Sequence, residues 1–336
     1  MKNGRTTIAD IAGKLNVSLN TVNKALYGKP GVGPELRGRI LETARAMNYR
    51  VNRIAQSMSR KPFRLAVVSE SGQFGQRPEF LNGIQNALEQ LADYNAGGEF
   101  ITVDGAIDDA LLEKPEVSAF IFNHITLDDE QERFLCSRNV PFAYLGNDRF
   151  DSESRRAICI RSDARQVGAC AADLFALMLQ PGDEVGVLTG FRSYRDHAEK
   201  AEAFVDTAGQ YGLHPVGVAE HGDRPEEVEA CYRSLRKAHP ALRGVFLATG
   251  VSGTLFEALA AEGSSRCRCV AVDRYPGSAA ALARGSIDAI VHQNAQLAGR
   301  RMIEEFYRIL TGEKLSGELL LIEPEILLRH TGRPEE

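Results

Sequence analysis

The sequence lacks a long apolar run, and this absence limits where the protein can reside. None of its 336 residues falls in an uninterrupted apolar stretch of the roughly 18 residues that a membrane-spanning helix needs. The N-terminal segment MKNGRTTIADIAGKL also lacks the apolar core of a secretory signal peptide. We therefore expect a cytoplasmic protein that has no membrane partner.

Sequence motifs for metal binding and for catalysis are also missing. The six cysteines form no CxxC pair, so the pattern predicts neither a zinc site nor a dithiol site. Cys267 and Cys269 alternate in the strand-like segment RCRCVAV, and we expect free thiols that are buried or half-buried. The segments GVSG and GFRSYRDH complete no catalytic pattern, and the seven histidines are scattered rather than spaced as ligands. These observations predict a protein with no catalytic residue, no metal and no cofactor.

Charge is distributed unevenly along the chain, whose length suits two or three domains. Residues 1–61 contain twelve lysines and arginines against three acidic residues, a formal charge of +9. The whole chain carries −5, so the remainder carries −14. A basic head on an acidic body predicts a polyanionic partner for the head alone. Charge by itself would fit DNA, RNA or a membrane surface, so the motifs must decide between them.

A short helix followed by a tight turn is predicted at the start of the head. Thr7 and Asp10 match a capping box in front of an apolar helical face that ends at Leu15. Asn16 follows, and asparagine tolerates the left-handed backbone conformation that such a turn uses.

Two further helices are predicted after the turn. Ser18 can cap a second helix that ends near Tyr27, and Pro34 suits the first position of a third helix that ends near Met47. The outward face of the second helix carries Leu19, Asn20, Thr21, Asn23 and Lys24. Small polar and basic side chains on such a helix can read base edges in the DNA major groove, which favours a helix-turn-helix.

The whole segment TTIADIAGKLNVSLNTVNKALYGKPGVGPELRGRILETARAMNYRVNRIAQSMSR closely resembles the DNA-binding head of the LacI family of transcription regulators. Asn16 and Gly33 depart from the usual glycine and serine, and Asn23-Lys24 replaces the usual Ser-Arg on the reading face. The resemblance implies that double-stranded operator DNA is the partner. It also implies base-reading positions at Leu19, Asn20 and Lys24, and positions that mostly hold phosphates at Thr7, Ser18, Thr21 and Asn23.

The segment NRIAQSMSR, from Asn52 to Arg60, resembles the hinge helix of the same family. Such a helix is too short to be stable alone, and in the family two copies fold together in the minor groove. Met58 occupies the position of the side chain that wedges between base pairs, and Ala55 lies on the same face. The resemblance therefore implies a homodimer on a two-fold operator, with DNA contacts at Asn52, Ala55 and Met58.

Apolar strands alternate with amphipathic helices from Phe63 onward. Strands are predicted over 63–69, 99–103, 119–123, 141–145, 184–190, 244–248, 269–273 and 289–292. Helices are predicted over 79–93, 164–179, 195–210, 226–237, 252–262 and 295–310. This alternation predicts an α/β core of doubly wound parallel sheets in two lobes, behind a small all-α head.

Residues 62–330 resemble the core of the LacI family, which is itself similar to periplasmic sugar-binding proteins. The resemblance implies a helix-turn-helix domain over 1–50, a hinge helix and linker over 51–61, and an effector-binding and dimerisation core over 62–336. Lobe one then comprises about 62–162 and 292–322, and lobe two about 163–291 and 323–336. The candidate effector-binding residues are Ser69, Phe74, Asp163, Phe191, Asp196, Lys200, Thr249, Asp273 and Gln293.

Three of these positions carry most of the expectation. In GFRSYRDHAEKAEAF, Lys200 replaces the arginine with which the family grips its ligand, and Asp273 and Gln293 match polar positions of the family's cleft. Thr249-Gly250 replaces the family's Asn-Asp pair, and Phe74 and Phe191 are candidate aromatic covers for a sugar ring. Carboxylates, one cation and an aromatic face suit polyol recognition, so a sugar or sugar acid is the expected effector.

The resulting hypothesis is a transcription regulator, most simply a repressor, whose operator affinity changes when an effector alters the spacing of the two hinge segments. A nucleoside or another non-sugar metabolite stays open as the effector, as does a core that answers to a protein partner. A transport-type binding protein and an enzyme are the rivals from other classes. The DNA-binding head argues against the transport protein, and the missing catalytic motifs argue against the enzyme.

Overall fold

A small helical head precedes a larger α/β core. The computed structural model describes residues 6–26, 30–47, 49, 62–70, 78–92, 95–123, 125–145, 157–263, 266–311 and 319–331. The head lies within Met1–Pro62 and the core begins at Phe63, each as a compact unit with apolar clusters of its own.

Local sequence signals account for the helices of the head, which are α1 (Ile8–Leu15), α2 (Leu19–Leu26) and α3 (Pro34–Ala46). Thr7 forms the predicted capping box: its hydroxyl accepts from the N–H of Asp10 at 3.3 Å, and its own N–H donates to the Asp10 carboxylate at 2.7 Å. Asn16 ends α1 in the left-handed conformation, with φ of 51°. Ser18 accepts from the N–H of Thr21 at 3.0 Å and so caps α2.

The predicted inward faces of these helices pack together. Ile11 and Ala12 of α1, Val22 and Ala25 of α2, and Ile40 and Ala44 of α3 form one buried cluster. With so few apolar side chains, the head depends on its caps as well as on its core, because each cap contributes about 1 kcal/mol.

The core alternates strands and helices throughout. Its strands are β1 (Phe63–Glu70), β2 (Ala96–Val103), β3 (Ala119–Asn123), β4 (Phe142–Leu145), β5 (Ala157–Ser162), β6 (Glu184–Thr189), β7 (His214–Glu220), β8 (Leu242–Leu247), β9 (Arg268–Val272), β10 (Ala289–His292), β11 (Leu319–Ile322) and β12 (Glu325–Leu327). Its helices are α4 (Pro78–Gln90), α5 (Asp109–Leu112), α6 (Asp129–Ser137), α7 (Ala164–Met178), α8 (Arg195–Gln210), α9 (Pro225–Ala238), α10 (Leu255–Ala261), α11 (Pro276–Arg284) and α12 (Ala295–Leu310).

The strands form two sheets of six, as expected for two lobes. Lobe one has the order β11-β5-β4-β3-β1-β2, and all of its strand pairs are parallel. Lobe two has the order β12-β10-β9-β8-β6-β7 and is parallel except where the short β12 runs antiparallel to β10. The prediction of doubly wound parallel sheets is therefore confirmed.

The chain crosses between the two sheets three times, after β5, after β10 and after β11. Two of these crossings touch each other, because the N–H of Asp163 donates to the carbonyl of Ile322 at 3.0 Å. Glu79, at the start of α4 in lobe one, lies 3.9 Å from His292 at the end of β10 in lobe two. Since Glu79 follows β1 and His292 is the last residue of β10, this contact places the carboxyl edges of the two sheets opposite each other.

A close pair of helices positions the side chains of lobe two. A Cβ atom at Gly168 of α7 would lie 2.2 Å from the carbonyl oxygen of Lys200 of α8, so only glycine permits this approach. The contact fixes the backbone from which the Lys200 side chain projects. Within the described part of the chain, none of the helices combines the length and apolar character needed to cross a bilayer.

Candidate functional site

The exposed face of α2 carries the residues predicted to read DNA. Val22 and Ala25 are buried against the other two helices, whereas Asn20 is exposed and Leu19 is 57% exposed. Lys24 lies one turn after Asn20 and is partly exposed. An apolar side chain that stays in solvent on a capped helix is available to a partner, and the thymine methyl group is one such apolar surface.

A buried ammonium group marks the centre of the second candidate site, in lobe two. Lys200 is 2% exposed, and its Nζ lies 2.6 Å from Oδ2 of Asp196, one turn earlier on α8. The same Nζ donates to Oε1 of Gln293, which follows β10, at 3.4 Å. Because an unpaired buried charge is strongly destabilising, these two partners hold the ammonium group in place.

Asp273 and Gln293 form a rigid pair next to this lysine. The Gln293 side-chain amide donates to Oδ2 of Asp273 at 2.7 Å, and the Gln293 N–H donates to Oδ1 at 3.0 Å. Asp273 has a φ of 63°, a left-handed conformation that aspartate tolerates and that recurs at binding sites. Burial acts to raise the pKa of Asp273, but hydrogen bonds from His292 and Gln293 and the charge of Lys200 outweigh it and lower that pKa. The carboxylate therefore stays charged at neutral pH.

A buried polar cluster lies at the ends of β6, β7 and β8. His221 has no exposed surface, and its Nε2 is 3.2 Å from Oγ1 of Thr249. Its Nδ1, and Oγ1 of the equally buried Thr189, have no hydrogen-bond partner among the described residues. Burial lowers the pKa of His221, and the carboxylate of Asp223 offsets this only in part, so the ring is neutral at pH 7.

His197 connects the lysine to this polar cluster. Its Nδ1 lies 3.2 Å from the carbonyl oxygen of Phe191 and 3.8 Å from Oδ2 of Asp223. Burial and the Lys200 ammonium group lower the pKa of His197, against the opposing effect of nearby carboxylates. A side chain at Gly190 would collide with both His197 and Asp223. The glycine therefore permits the close approach of these two side chains. His197 therefore links Lys200 electrostatically to Asp223 and His221.

Of the other sequence-predicted effector residues, Ser69 and Asp163 lie apart from this network, whereas Phe191 borders it through its contact with His197. Ser69 has no exposed surface and accepts from Asn123 at 2.9 Å inside lobe one, and Asp163 caps α7 by accepting from the N–H of Gln166 at 3.0 Å. Phe191 is 46% exposed and stacks edge-on against Tyr194 at 5.8 Å. Phe74, Asn52, Ala55 and Met58 lie outside the described residues.

Sequence reasoning missed His221, Asp223 and His292. Each of them follows or ends a strand of lobe two, so the rule that ligands bind at the carboxyl ends of parallel strands was the available signal. The strand over 214–220 was not predicted, so His221 and Asp223 had no strand end to mark them. Among the described residues, no group of three or more histidine, cysteine, aspartate or glutamate side chains is placed to hold a metal ion.

Two lobes whose polar sheet edges face each other define a class of core that binds a small ligand in the cleft between the lobes. The family model described as periplasmic binding protein domain matches residues 66–314, and the chain belongs to this family. The ribose ABC transporter protein from Conexibacter woesei has the same fold, with a TM-score of 0.69 at 17% identity over 80% of this chain and 93% of that chain.

Curated relatives of the chain are transcription regulators. The probable HTH-type transcriptional repressor ExuR of Bacillus subtilis is 24% identical over 247 residues, 70% of this chain and 70% of its own. The HTH-type transcriptional regulator CelR of Thermobifida fusca is 22% identical over 339 residues, 98% of both chains. The match to CelR spans head and core together, and the predicted resemblance to LacI-type regulators is confirmed.

Proposed function

We propose that the protein is a sequence-specific transcription regulator, acting as a repressor, whose head binds double-stranded operator DNA and whose core binds a carbohydrate effector. The observation that carries the proposal is the joining of a capped helix-turn-helix to a two-lobed core of the periplasmic binding protein family. Relatives named as HTH-type regulators along most of the chain support it. The polar groups of the cleft then serve binding rather than a chemical reaction.

The DNA-binding part of the proposal rests on α2. Its capped N-terminus and its exposed face, with Leu19, Asn20 and Lys24, offer both phosphate-holding and base-reading groups. A two-fold operator requires two heads, so we propose a homodimer in the cytoplasm, where such DNA is found. Asn52, Ala55 and Met58 would add minor-groove contacts from the hinge.

The effector-binding part rests on the network around Lys200. The site offers the ammonium group of Lys200, neighbouring carboxylates and the amide of Gln293, which can hold sugar hydroxyls. The half-exposed ring of Phe191 can cover the face of a sugar ring. They lie at one sheet edge, and Glu79 of the facing edge reaches His292 beside them. A ligand that binds one lobe arrangement better than the other would shift the equilibrium between the two.

The experiment that tests the function is selection of DNA from a random duplex library by the full-length protein. We expect enrichment of one sequence with two-fold symmetry, and a dimer by light scattering at the concentrations used. Affinity for the enriched duplex should fall steeply with salt, because a head of charge +9 displaces many counterions. A pool that stays random after repeated rounds at low salt would contradict sequence-specific binding.

A further inference from the structure

The buried ammonium group of Lys200 is neutralised before any ligand arrives. Asp196 lies 2.6 Å away and Gln293 accepts at 3.4 Å, so two of the three ammonium hydrogens are directed at protein atoms. The lysine side chain is only 2% exposed. A lysine in this state orients its neighbours and donates one remaining hydrogen bond, and it offers no uncompensated positive charge to a ligand.

Three carboxylates near this lysine reach solvent. The side chains of Asp196, Asp273 and Asp223 are 38%, 33% and 32% exposed. Ionised carboxylates only accept hydrogen bonds. The guanidinium groups of Arg161 and Arg195, from β5 and α8, both contact Glu199 at 3.1 and 2.7 Å. Around the paired ammonium group of Lys200, the exposed carboxylates therefore supply several hydrogen-bond acceptors.

We propose that Asp196 determines the charge specificity of the cleft, which takes a neutral polyhydroxylated sugar or an amino sugar and rejects the corresponding sugar acid. Hydroxyl and ammonium groups donate to the carboxylates of Asp273 and Asp196, whereas a ligand carboxylate meets like charges and an ammonium group already paired. The inference deepens the proposed function and rests on it, since it concerns the effector of the same site. The sequence alone predicted either a sugar or a sugar acid as the effector, and this inference excludes the sugar acid.

The first test uses the full-length protein and nine compounds. D-Glucose, D-galactose and D-mannose are each measured beside the corresponding 2-amino sugar and uronic acid, by calorimetry at pH 7.5. Within any series that binds, the neutral or amino member should bind at least about tenfold more tightly than the acid, because one like-charge contact near a protein surface exceeds the energy of a tenfold change. A uronic acid that binds more tightly than its two counterparts would overturn the inference.

The second test removes the neutralising charge. Asp196→Asn leaves the Lys200 ammonium group uncompensated, and we expect the variant to gain affinity for uronic acids by about tenfold relative to the neutral sugars. Asp206→Asn is the matched control, because Asp206 lies on the same helix, is 65% exposed and lies 3.9 Å from the surface Arg165. The control should keep the wild-type order. Thermal unfolding of both variants shows whether each one is folded.

If Asp196→Asn does not fold, the double variant Asp196→Asn/Lys200→Gln replaces it in the test. This variant removes both members of the buried ion pair. It should bind neutral sugars and gain no affinity for uronic acids. An unchanged ligand order in folded Asp196→Asn would show that Asp196 does not set specificity. Absence of binding by wild type and variants across the panel would also contradict the inference, together with the carbohydrate part of the proposed function. Operator binding, measured separately, distinguishes this result from failure of the regulator function itself.

Discussion

Individual side chains in the two candidate sites differ in what they add to binding, and charge-matched substitutions can separate these roles. Lys24 lies on the exposed face of α2, whereas Lys14 lies in the last turn of α1. Both contribute the same charge to the head, so they should contribute alike to attraction by the DNA backbone. Of the two, only Lys24 lies on the helix that we propose enters the major groove, where a side chain can read bases.

Lys24→Ala should therefore weaken binding to the selected operator about 10- to 100-fold, and binding to random DNA far less, because a base contact contributes about 1–3 kcal/mol of discrimination. Lys14→Ala should reduce both affinities by similar, small factors. Fluorescence anisotropy at fixed salt measures all four affinities. Equal losses on both duplexes for Lys24→Ala would remove its base-reading role.

A substitution of Asp273 tests the effector site of the core in the same way. Its carboxylate holds Gln293 through two hydrogen bonds and remains partly exposed to a ligand. Asp273→Ala should abolish the effect of effector on operator binding and leave the operator affinity of the effector-free protein within about twofold, since it lies in the core and not in the head. Asp206→Ala, on the outer surface of α8, is the control. A variant that still responds at the wild-type effector concentration would show that the cleft lies elsewhere.

At the scale of elements, helices with capping signals and strands with continuous apolar runs were predicted closely. The predicted bounds of α8 and α12 match the structure, as do those of β3 and β10. The strands that were not predicted are β5, β7, β11 and β12, three of which lie at sheet edges. Edge strands are half-covered and tolerate residues such as Pro215 and Gly217 in β7, which weaken the strand pattern.

The turn after β6 offers a test of how an element shapes the site. A methyl group at Gly190 would lie 2.2 Å from Oδ1 of Asp223 and 2.5 Å from Cε1 of His197. Gly190→Ala should lower the free energy of unfolding by about 1–3 kcal/mol and weaken effector binding, because these two side chains must move apart. Gly250→Ala, where nothing lies within 4 Å of the added methyl group, should change neither quantity appreciably. Urea unfolding measures the free energy of unfolding, and calorimetry measures effector binding. Equal effects of the two substitutions would show that the space at Gly190 does not shape the site.

At the scale of the whole molecule, one histidine joins the two lobes. His292 lies 3.7 Å from Asp273 in its own lobe and 3.9 Å from Glu79 in the other. Its Nδ1 is 3.4 Å from the N–H of Arg274, a contact that suits the neutral ring. Burial also acts to lower the pKa of His292, but Asp273, Glu79 and Glu325 outweigh it, and the pKa is raised.

A raised pKa means that the charged ring stabilises the folded state. This contribution is complete below the unfolded-state pKa, near 6.5, and is lost as pH rises through the higher pKa of the folded state. His292→Gln should therefore destabilise the protein by on the order of 1 kcal/mol at pH 6 and by clearly less at pH 9. His197 and His221, whose pKa values are lowered, are present in both proteins and cancel in the comparison.

Urea unfolding at the two pH values measures the difference, and His214→Gln, at an exposed position of β7, is the control. An equal loss at pH 6 and pH 9 for His292→Gln would mean that the ring acts by packing and not by charge.

The sequence by itself determined the helices of the head, their caps and the alternation that makes a two-lobed α/β core, because these features depend on residues within one or two turns of each other. Even the pair of Asp196 and Lys200, four residues apart on one helix, can be read in this way. Only the tertiary structure decided that Lys200 meets Gln293, 93 residues away, and that His292 meets Glu79. Strand order and the crossings between lobes set which strand ends become neighbours, and no local pattern in the chain records that order.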